Sequence, residues 1–362
     1  MVSKTWMKIW FANVVAIISV IGIVNFTVDS SGVFGNNKNE VVDINNFYLI
    51  KARWVSKGNV DTLMLGTSRT GVMDVSVVNK YLKGNVYDLS APGSTAKVQH
   101  ELLLYALRYN NIRNIIYGID FFSFNENLTD SDYDNRVYSM LENINNPFWD
   151  LSLIFNRVDF SDNLVFIFQS LIGQVKNIQR LDSLVPSTGN IILRSREYKV
   201  QNGIESIETM SSKEINSYFM SGGLNSDYRF SYKHLEFFRE SIEYCLNNDI
   251  NVYIYIPPVF SDHFDAINSA GYFDEFELFK KEISKIHSFI DFTGHNKVTE
   301  NKDYFLDSSH LKKSATPMVI NRLLNDKNIS PLGDFGVLVS KDNINQHLIS
   351  LRKQIKPFRS FH

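Results

Sequence analysis

Residues 62–70 read TLMLGTSRT, and this segment predicts the first unit of the fold. Thr62 to Leu65 form a short apolar run that ends at Gly66, and apolar residues then recur at helical spacing from Val72 to Leu82. A compact apolar run that is closed by glycine and followed by a helical period predicts a strand, a tight turn and a helix. The predicted turn carries Ser68.

The same unit recurs along the chain. A second strand is predicted at Asn85–Leu89, followed by a helix over residues 95–109, and a third strand is predicted at Asn114–Ile119. The alternation resumes later, with strands predicted at Val252–Ile256 and Phe289–Phe292 between helical patterns. Five strands alternating with helices predict an α/β fold with a doubly wound parallel sheet, whose ligand site lies at the carboxyl ends of the strands.

Composition along the chain suggests where this domain begins and ends. Residues 29–46 are rich in Gly, Asn, Ser and Asp, which is typical of a tether. The domain is predicted over residues 47–332, with a mainly helical insertion at about 124–231, where the alternation lapses into aromatic-rich helical patches. Residues 333–362 are predicted to form a short C-terminal appendage with a basic end.

The N-terminal segment, residues 1–28, has the pattern of a membrane anchor. Lys4 and Lys8 precede an uncharged run from Ile9 to Val28, roughly 20 residues, which is the length of a helix that crosses a bilayer. The lysines are expected to stay in the cytoplasm. A cleaved signal peptide is the alternative, although the run is longer than a usual signal core and lacks an A-x-A-like site before Asp29. Both interpretations place the rest of the chain outside the cytoplasm.

The composition is that of a globular protein, and it excludes several classes of function. The chain has 362 residues, of which 44% are hydrophobic, and its net charge of -2 gives no field that would favour nucleic acid. The single cysteine, Cys245, excludes an intrachain disulfide and a cysteine-based metal cluster. The sequence has no P-loop, no Rossmann glycine fingerprint and no histidine pair at metal-ligand spacing, so neither a cofactor nor a metal is expected.

Two short segments could carry chemistry. Ser68 follows the first strand at the start of a helix, where a serine oxygen is exposed and its own N–H faces an incoming anion. An ordinary N-cap is the structural alternative, because serine is favoured at that position. Asp307 and His310 are three residues apart, a spacing that lets the carboxylate hold one imidazole nitrogen while the other faces a nucleophile. Here the alternative is an aspartate cap beside a surface histidine.

Together these segments resemble the SGNH hydrolase superfamily, in which a serine follows the first strand and an Asp-x-x-His motif lies near the C-terminus. The resemblance implies a flavodoxin-like fold, with Ser68 as the nucleophile, His310 as general base and acid, and Asp307 as the residue that orients the histidine. The turn Ala91-Pro92-Gly93 matches the glycine block of the family. This match implies an oxyanion hole formed by the N–H groups of Ser68 and Gly93.

The sequence departs from the family pattern at two positions. Thr67 stands where the most familiar members have aspartate, and Asp120 stands where the family usually has an asparagine that donates to the oxyanion. An ionised aspartate cannot donate a hydrogen bond. Asp120 could be protonated, turned toward Arg69, or structural, and we expect the contact with Arg69; both residues are candidates for lining the site.

Within the superfamily the sequence is most similar to the membrane-tethered branch that acetylates extracellular polysaccharides, including proteins similar to the alginate O-acetyltransferases. The similarity covers the anchor, Gly66–Arg69, Leu89–Gly93 and residues 291–310, and it does not cover the insertion. It implies a polysaccharide acceptor and a multi-pass membrane O-acyltransferase as partner. It also implies a single-pass protein of the bacterial inner membrane, with its catalytic domain in the periplasm or outside the cell.

An acyl-Ser68 intermediate has two chemical fates. Attack by a polysaccharide hydroxyl makes the protein an O-acyltransferase, and attack by water makes it a carbohydrate esterase or deacetylase with the same triad. We expect the transferase, because a membrane tether keeps the enzyme near an acyl supply. A non-catalytic polysaccharide-assembly protein that kept the fold is a third interpretation, which Asp120 supports.

Overall fold

The computed structural model describes residues 2–35, 42–43, 47–128, 154–155, 157–171, 182–324 and 333–358. Parts of the predicted tether, insertion and appendage therefore lie outside the described residues. The helices are α1 (Val2–Val28), α2 (Phe47–Val55), α3 (Ser68–Gly71), α4 (Val75–Leu82), α5 (Ala96–Leu107), α6 (Arg157–Leu171), α7 (Arg194–Gln201), α8 (Ile207–Phe219), α9 (Tyr232–Asn247), α10 (Ser261–Ser269), α11 (Phe273–Ile286), α12 (Thr316–Leu324) and α13 (Ile344–Arg352). The strands are β1 (Val42–Asp43), β2 (Thr62–Leu65), β3 (Val86–Asp88), β4 (Asn114–Gly118), β5 (Ser183–Leu184), β6 (Ile191–Ile192), β7 (Asn251–Ile256), β8 (Phe289–Asp291) and β9 (Val337–Val339).

The main sheet has six strands in the order β3-β2-β4-β7-β8-β9. The first five are parallel, and each lies where the sequence predicts a strand. This confirms the prediction of an α/β protein with a mainly parallel sheet. The edge strand β9 pairs antiparallel with β8 and comes from the segment expected to be an appendage. Three residues are too few to show a period, so this strand could not be predicted from the sequence.

Both faces of the main sheet are buried. Successive side chains of a strand point to opposite faces, so the residues of β2 divide between two hydrophobic clusters. Leu63 and Leu65 of β2 belong to one hydrophobic cluster, together with residues of α2, α5, α9, α11 and α13. Met64 belongs to a second cluster, which α4 and α12 complete. Most residues of the parallel strands are accordingly apolar, as expected for a parallel sheet covered on both sides.

The carboxyl ends of the central strands bring three loops together. The loop after β3 is held against the turn after β2, because Ala91 N–H donates to the carbonyl of Gly66 at 2.8 Å. The loop after β4 begins at Ile119, whose N–H donates to the carbonyl of Tyr255 in β7 at 2.9 Å. Ser68, Gly93 and Asp120 all follow these strand ends, so their positions depend on the sheet.

The first helix, α1, is long and apolar enough to cross a membrane over Lys4–Val28, a span of 25 residues. Its most apolar window has a mean hydropathy of 2.2, and only 11% of that window is buried. A helix of this length extends about 37 Å, which exceeds the roughly 30 Å hydrocarbon core of a bilayer.

The described part of the predicted tether packs on the protein. Asp29 and Val33 are buried, and the N–H of Phe34 donates to the Asp29 carboxylate at 3.1 Å. Further on, Val42 of β1 pairs with Leu184 of β5 in a small antiparallel sheet of order β1-β5-β6. Strands β5 and β6 and helices α6, α7 and α8 are the described elements within the predicted insertion.

Candidate functional site

Ser68 lies at the first residue of α3, directly after the turn that ends β2. Gly66 forms this turn with φ +140°, and a Cβ there would lie 2.5 Å from the carbonyl oxygen of Gly118, so only glycine fits. Thr67 is the N-cap, since its hydroxyl accepts the N–H of Arg69 at 3.4 Å. Because Thr67 caps the helix, the Ser68 hydroxyl is left for another partner.

That partner is His310, whose Nε2 lies 2.8 Å from Ser68 Oγ. On the other side of the ring, His310 Nδ1 lies 2.9 Å from both carboxylate oxygens of Asp307. Asp307 also shapes its own loop, because its Oδ1 accepts the backbone N–H groups of Ser309 at 2.9 Å and His310 at 2.8 Å. The turn made by these bonds explains why a three-residue spacing places the carboxylate beside the imidazole. The structure thus brings together the three residues expected to form a triad.

The electrostatics of this cluster favour a charged histidine. Burial opposes protonation of His310, but the charge of Asp307 and hydrogen bonds to Asp307 and Glu214 outweigh it and raise the pKa of His310 to about 9. For Asp307, burial favours the neutral acid, yet the imidazole and the guanidinium of Arg196 hold the pKa of that carboxyl well below its usual range. The pair is therefore an ion pair at neutral pH, with Ser68 beside the imidazolium.

Two residues of the predicted insertion contact this cluster, and neither was predicted from the sequence. Arg196 of α7 forms an ion pair through Nε with Asp307 Oδ2. Glu214 of α8 lies 3.4 Å from His310 Nδ1 and accepts hydrogen bonds from the hydroxyls of Ser308 at 2.6 Å and Ser309 at 3.0 Å. No local pattern links these residues to positions about a hundred residues later, so no sequence signal could have found them.

A hydrogen-bond chain leads to Glu214 from the buried side chains of Arg69 and His263. Ser308 uses its one proton toward Glu214, so His263 must donate from Nδ1 to Ser308 Oγ, 3.1 Å away. His263 Nε2 is then the acceptor for Arg69 Nη2 at 3.4 Å. Burial, helped by the charge of Arg69, lowers the pKa of His263 to about 3, which agrees with a neutral ring of this tautomer.

Arg69 and Asp120 form a buried ion pair, with 2.6 Å between Nη1 and Oδ1. The second oxygen of Asp120 accepts the hydroxyl of Thr67 at 2.5 Å. The contact expected between Asp120 and Arg69 is therefore present, and the carboxylate acts as an acceptor on both sides. Neither residue lines the cavity described below.

Gly93, the other expected oxyanion donor, adopts a left-handed backbone with φ +67°. A Cβ at this position would meet nothing closer than 3.9 Å, so glycine is favoured here by conformation and not by space. The N–H of Ser68 is among the first of α3, which have no partner within the helix. Pro92, next to Gly93, lines the cavity together with Ser68.

The triad faces a cavity of about 620 Å³ between the sheet edge and the insertion. Charged side chains of both signs from α7, α8 and neighbouring loops surround it. The lining residues are Ser68, Pro92, Asp182, Ile191, Leu193, Ser195, Arg196, Lys199, Glu205, Met210, Lys213, Glu214, Ser217, Tyr218, Asp307 and His310.

One group in the described part of the chain could offer ligands to a metal ion. Ligand atoms of Glu214, Asp307 and His310 lie within 4.8 Å of one another. A cation there would compete with the guanidinium of Arg196, which already pairs with Asp307. The charges of this group are better accounted for by the imidazolium and the guanidinium than by a metal.

Comparison with known proteins places the chain in a family. No curated protein matches it. A family model described as "Protein of unknown function (DUF1574)" matches residues 50–326, a span that includes all of the triad and the two insertion residues that contact it. Since this match covers more than two thirds of the 362 residues, the chain belongs to the DUF1574 family.

Proposed function

We propose that this protein is a serine-dependent O-acyltransferase, most simply an O-acetyltransferase, that acts on a cell-surface or extracellular polysaccharide. The observation that carries the proposal is the continuous hydrogen-bonded chain from Ser68 through His310 to Asp307, with 2.8 Å and 2.9 Å between successive partners. This order of nucleophile, base and carboxylate is the arrangement that acyl-transfer enzymes use.

In the first half-reaction, neutral His310 takes the proton of Ser68 as the serine oxygen attacks the acyl carbonyl. The N–H groups of Ser68 and Gly93 are the proposed donors to the oxyanion. When the tetrahedral intermediate collapses, His310 gives its proton to the leaving group and the acyl group stays on Ser68. In the second half-reaction, His310 takes the proton of an acceptor hydroxyl as that oxygen attacks the acyl-serine. When this second tetrahedral intermediate collapses, His310 returns the proton to Ser68 Oγ, and the acylated acceptor leaves the free enzyme.

The architecture is consistent with the SGNH-like interpretation. The sheet is covered by helices on both faces, and the site lies at the carboxyl ends of parallel strands, where ligands bind in doubly wound folds. Asp120 does not support a third oxyanion donor, because it already accepts from Thr67 and Arg69. The proposal therefore relies on two backbone donors.

The polysaccharide acceptor and the membrane location are inferred from the cavity and from α1. A cavity lined by charged and polar side chains suits a hydroxylated substrate better than a lipid chain. We interpret α1 as an uncleaved anchor in the bacterial inner membrane, with the domain on the outer side, because Lys4 and Lys8 mark the cytoplasmic end. A multi-pass membrane O-acyltransferase is the proposed acyl supplier.

Labelling with a fluorophosphonate probe tests whether the site is catalytic. The full chain in detergent should be modified at Ser68, and the Ser68→Ala and His310→Ala variants should lose labelling. The Ser217→Ala variant is the matched control, since Ser217 lines the same cavity without contacting His310. A folded protein that resists the probe, while a control hydrolase reacts, would indicate a non-catalytic assembly protein.

A second assay separates the transferase from a carbohydrate esterase. The enzyme is given p-nitrophenyl acetate with and without oligosaccharide acceptors, and acetylated oligosaccharide is measured by mass spectrometry. The transferase forms this product in an amount that depends on Ser68. Hydrolysis at a rate that no acceptor changes would instead identify an esterase with the same triad.

A further inference from the structure

Helix α6 packs against the C-terminal end of α1 through polar contacts. Asn163 Nδ2 donates to Asn25 Oδ1 at 3.0 Å, and Asn25 Nδ2 donates to the carbonyl of Ile154 at 2.8 Å. Asn163 Oδ1 also accepts the N–H of Ser30 at 2.8 Å. Asn25 and Asn163 are both buried, at 1% and 2% exposure, so each satisfies the other in the contact.

Close packing accompanies these hydrogen bonds. A Cβ added to Gly22 would lie 2.7 Å from Cε1 of Phe155, so glycine lets the segment before α6 approach α1 closely. Small residues and paired amides are the means by which helices associate inside membranes. At about 1.5 Å per residue, Gly22 and Asn25 lie within roughly 10 Å of the end of α1 at Val28. The contact is therefore near one end of the apolar span.

The opposite side of α6 exposes three large apolar side chains. Leu164, Val165 and Phe168 are 46%, 50% and 63% exposed. At about 100° per residue, these three side chains fall in an arc of roughly 100° that lies almost opposite Asn163. Large apolar side chains grouped in this way on a helix face are typical of a surface that another apolar medium covers.

We propose that α6 lies in the outer headgroup–acyl boundary of the membrane, with Leu164, Val165 and Phe168 in contact with lipid. The inference rests on the part of the proposed function that makes α1 a membrane anchor. Lipid is the medium that we infer to cover this face, because α6 contacts α1 at a level where Ile23 and Phe26 of α1 are themselves exposed, at 61% and 48%. An apolar face held at that depth meets the same lipid that surrounds the anchor.

Quenching of single fluorophores by spin-labelled lipids tests this placement. The full chain is reconstituted into liposomes of phosphatidylcholine and phosphatidylglycerol, with nitroxide groups either near the headgroup or near the end of the acyl chain. Dyes are attached in separate Val165→Cys and Phe168→Cys variants. Native Cys245 is buried and 1% exposed, so the unmodified chain serves as the labelling blank.

Two further variants provide the controls. Ile204→Cys matches Phe168 in exposure, at 62% against 63%, but lies between α7 and α8 on the domain. Val15→Cys lies in the middle of α1 and reports whether the anchor is in the bilayer. We expect the dyes at 165 and 168 to lose fluorescence mainly to the shallow nitroxide, the dye at 15 mainly to the deep one, and the dye at 204 to neither.

The outcomes separate this inference from the proposed anchor. A quenched dye at 15, with dyes at 165 and 168 that behave like the one at 204, overturns the placement of α6 and leaves the anchor intact. Dyes at 165 and 168 that are shielded from lipid and from aqueous quenchers alike also overturn it, because a protein then covers the face. A dye at 15 that no lipid quenches removes the anchor and the inference together.

Discussion

Replacing Glu214 with glutamine is expected to move the acid limb of the pH–rate profile to lower pH. The Glu214 carboxylate lies 3.4 Å from His310 Nδ1 and stabilises the imidazolium. Two unit charges at this distance interact by about 1 kcal/mol at the dielectric constant of water and about 5 kcal/mol at an effective value of about 20. Since 1.36 kcal/mol corresponds to one pKa unit, the acid limb should move to lower pH by at least about one unit.

The protonation state of His310 determines the activity expected near neutral pH. The proposed general base catalysis needs neutral His310, and a pKa of about 9 leaves roughly one hundredth of the protein in that form at pH 7. Removing the negative charge of Glu214 lowers the pKa of His310, so the neutral base becomes more abundant at neutral pH. The variant should therefore lose little activity there, even though its plateau at high pH falls because Ser308 and Ser309 are held less firmly.

The assay is the pH dependence of kcat/KM for p-nitrophenyl acetate, with the rate of the Ser68→Ala protein subtracted at every pH. Glu205→Gln is the matched control, because Glu205 lines the same cavity but pairs with Lys199 and Lys213 and not with His310. Its acid limb should stay in place. An acid limb of Glu214→Gln that is unchanged, or that moves to higher pH, would refute the electrostatic role given to Glu214.

Three further substitutions test two buried ion pairs and a tight turn near the candidate site. Lys51→Met should lower the free energy of unfolding in urea by about 3–5 kcal/mol, because it leaves the buried carboxylate of Asp88 without its cation, 3.4 Å away; an unchanged denaturation midpoint would contradict this. Gly66→Ala should abolish fluorophosphonate labelling while the far-UV circular dichroism stays helical, since an added Cβ meets the Gly118 carbonyl; retained labelling would show that the turn is not constrained. Asp120→Asn should destabilise the domain by a similar 3–5 kcal/mol, measured by thermal unfolding, because Arg69 loses its charged partner; a faster enzyme of equal stability would instead mean that an amide donor had been gained.

Most of the parallel sheet could be predicted, because local sequence patterns indicate each of its strands. Each parallel strand consists mostly of apolar residues in a short run, and such runs are recognisable without any knowledge of the fold. Ser68 and His310 were found because their neighbours resemble a known family, and the sheet then explains why they meet. Lys51 could not be predicted, because a lysine within an amphipathic stretch normally lies at the surface, whereas this one donates to the carbonyl of Ser90 in the core.

Arg196 and Glu214 of the insertion could not be predicted as part of the site. Arg196 lies on a polar helix with no fully buried residue, so its sequence context resembles that of an ordinary solvent-exposed arginine. Its contact with Asp307 depends on how two helices fold back over the sheet edge, and no periodicity encodes that approach. The position of Glu214 depends on the same approach. The residues that adjust the charge of the triad are thus supplied by the part of the chain that is hardest to interpret from sequence.

The packing of the segment after α1 limits how far the candidate site can move relative to α1. Val33 is buried, the indole N–H of Trp54 donates to the carbonyl of Gly32 at 3.4 Å, and Val42 is paired within a sheet. With α1 as the proposed membrane anchor, these contacts would hold the domain close to the end of α1 and keep its cavity at a nearly constant height above the bilayer. Under the proposed function, polymer chains would be acylated as they pass this level, and chains already further from the cell surface would lie beyond the cavity.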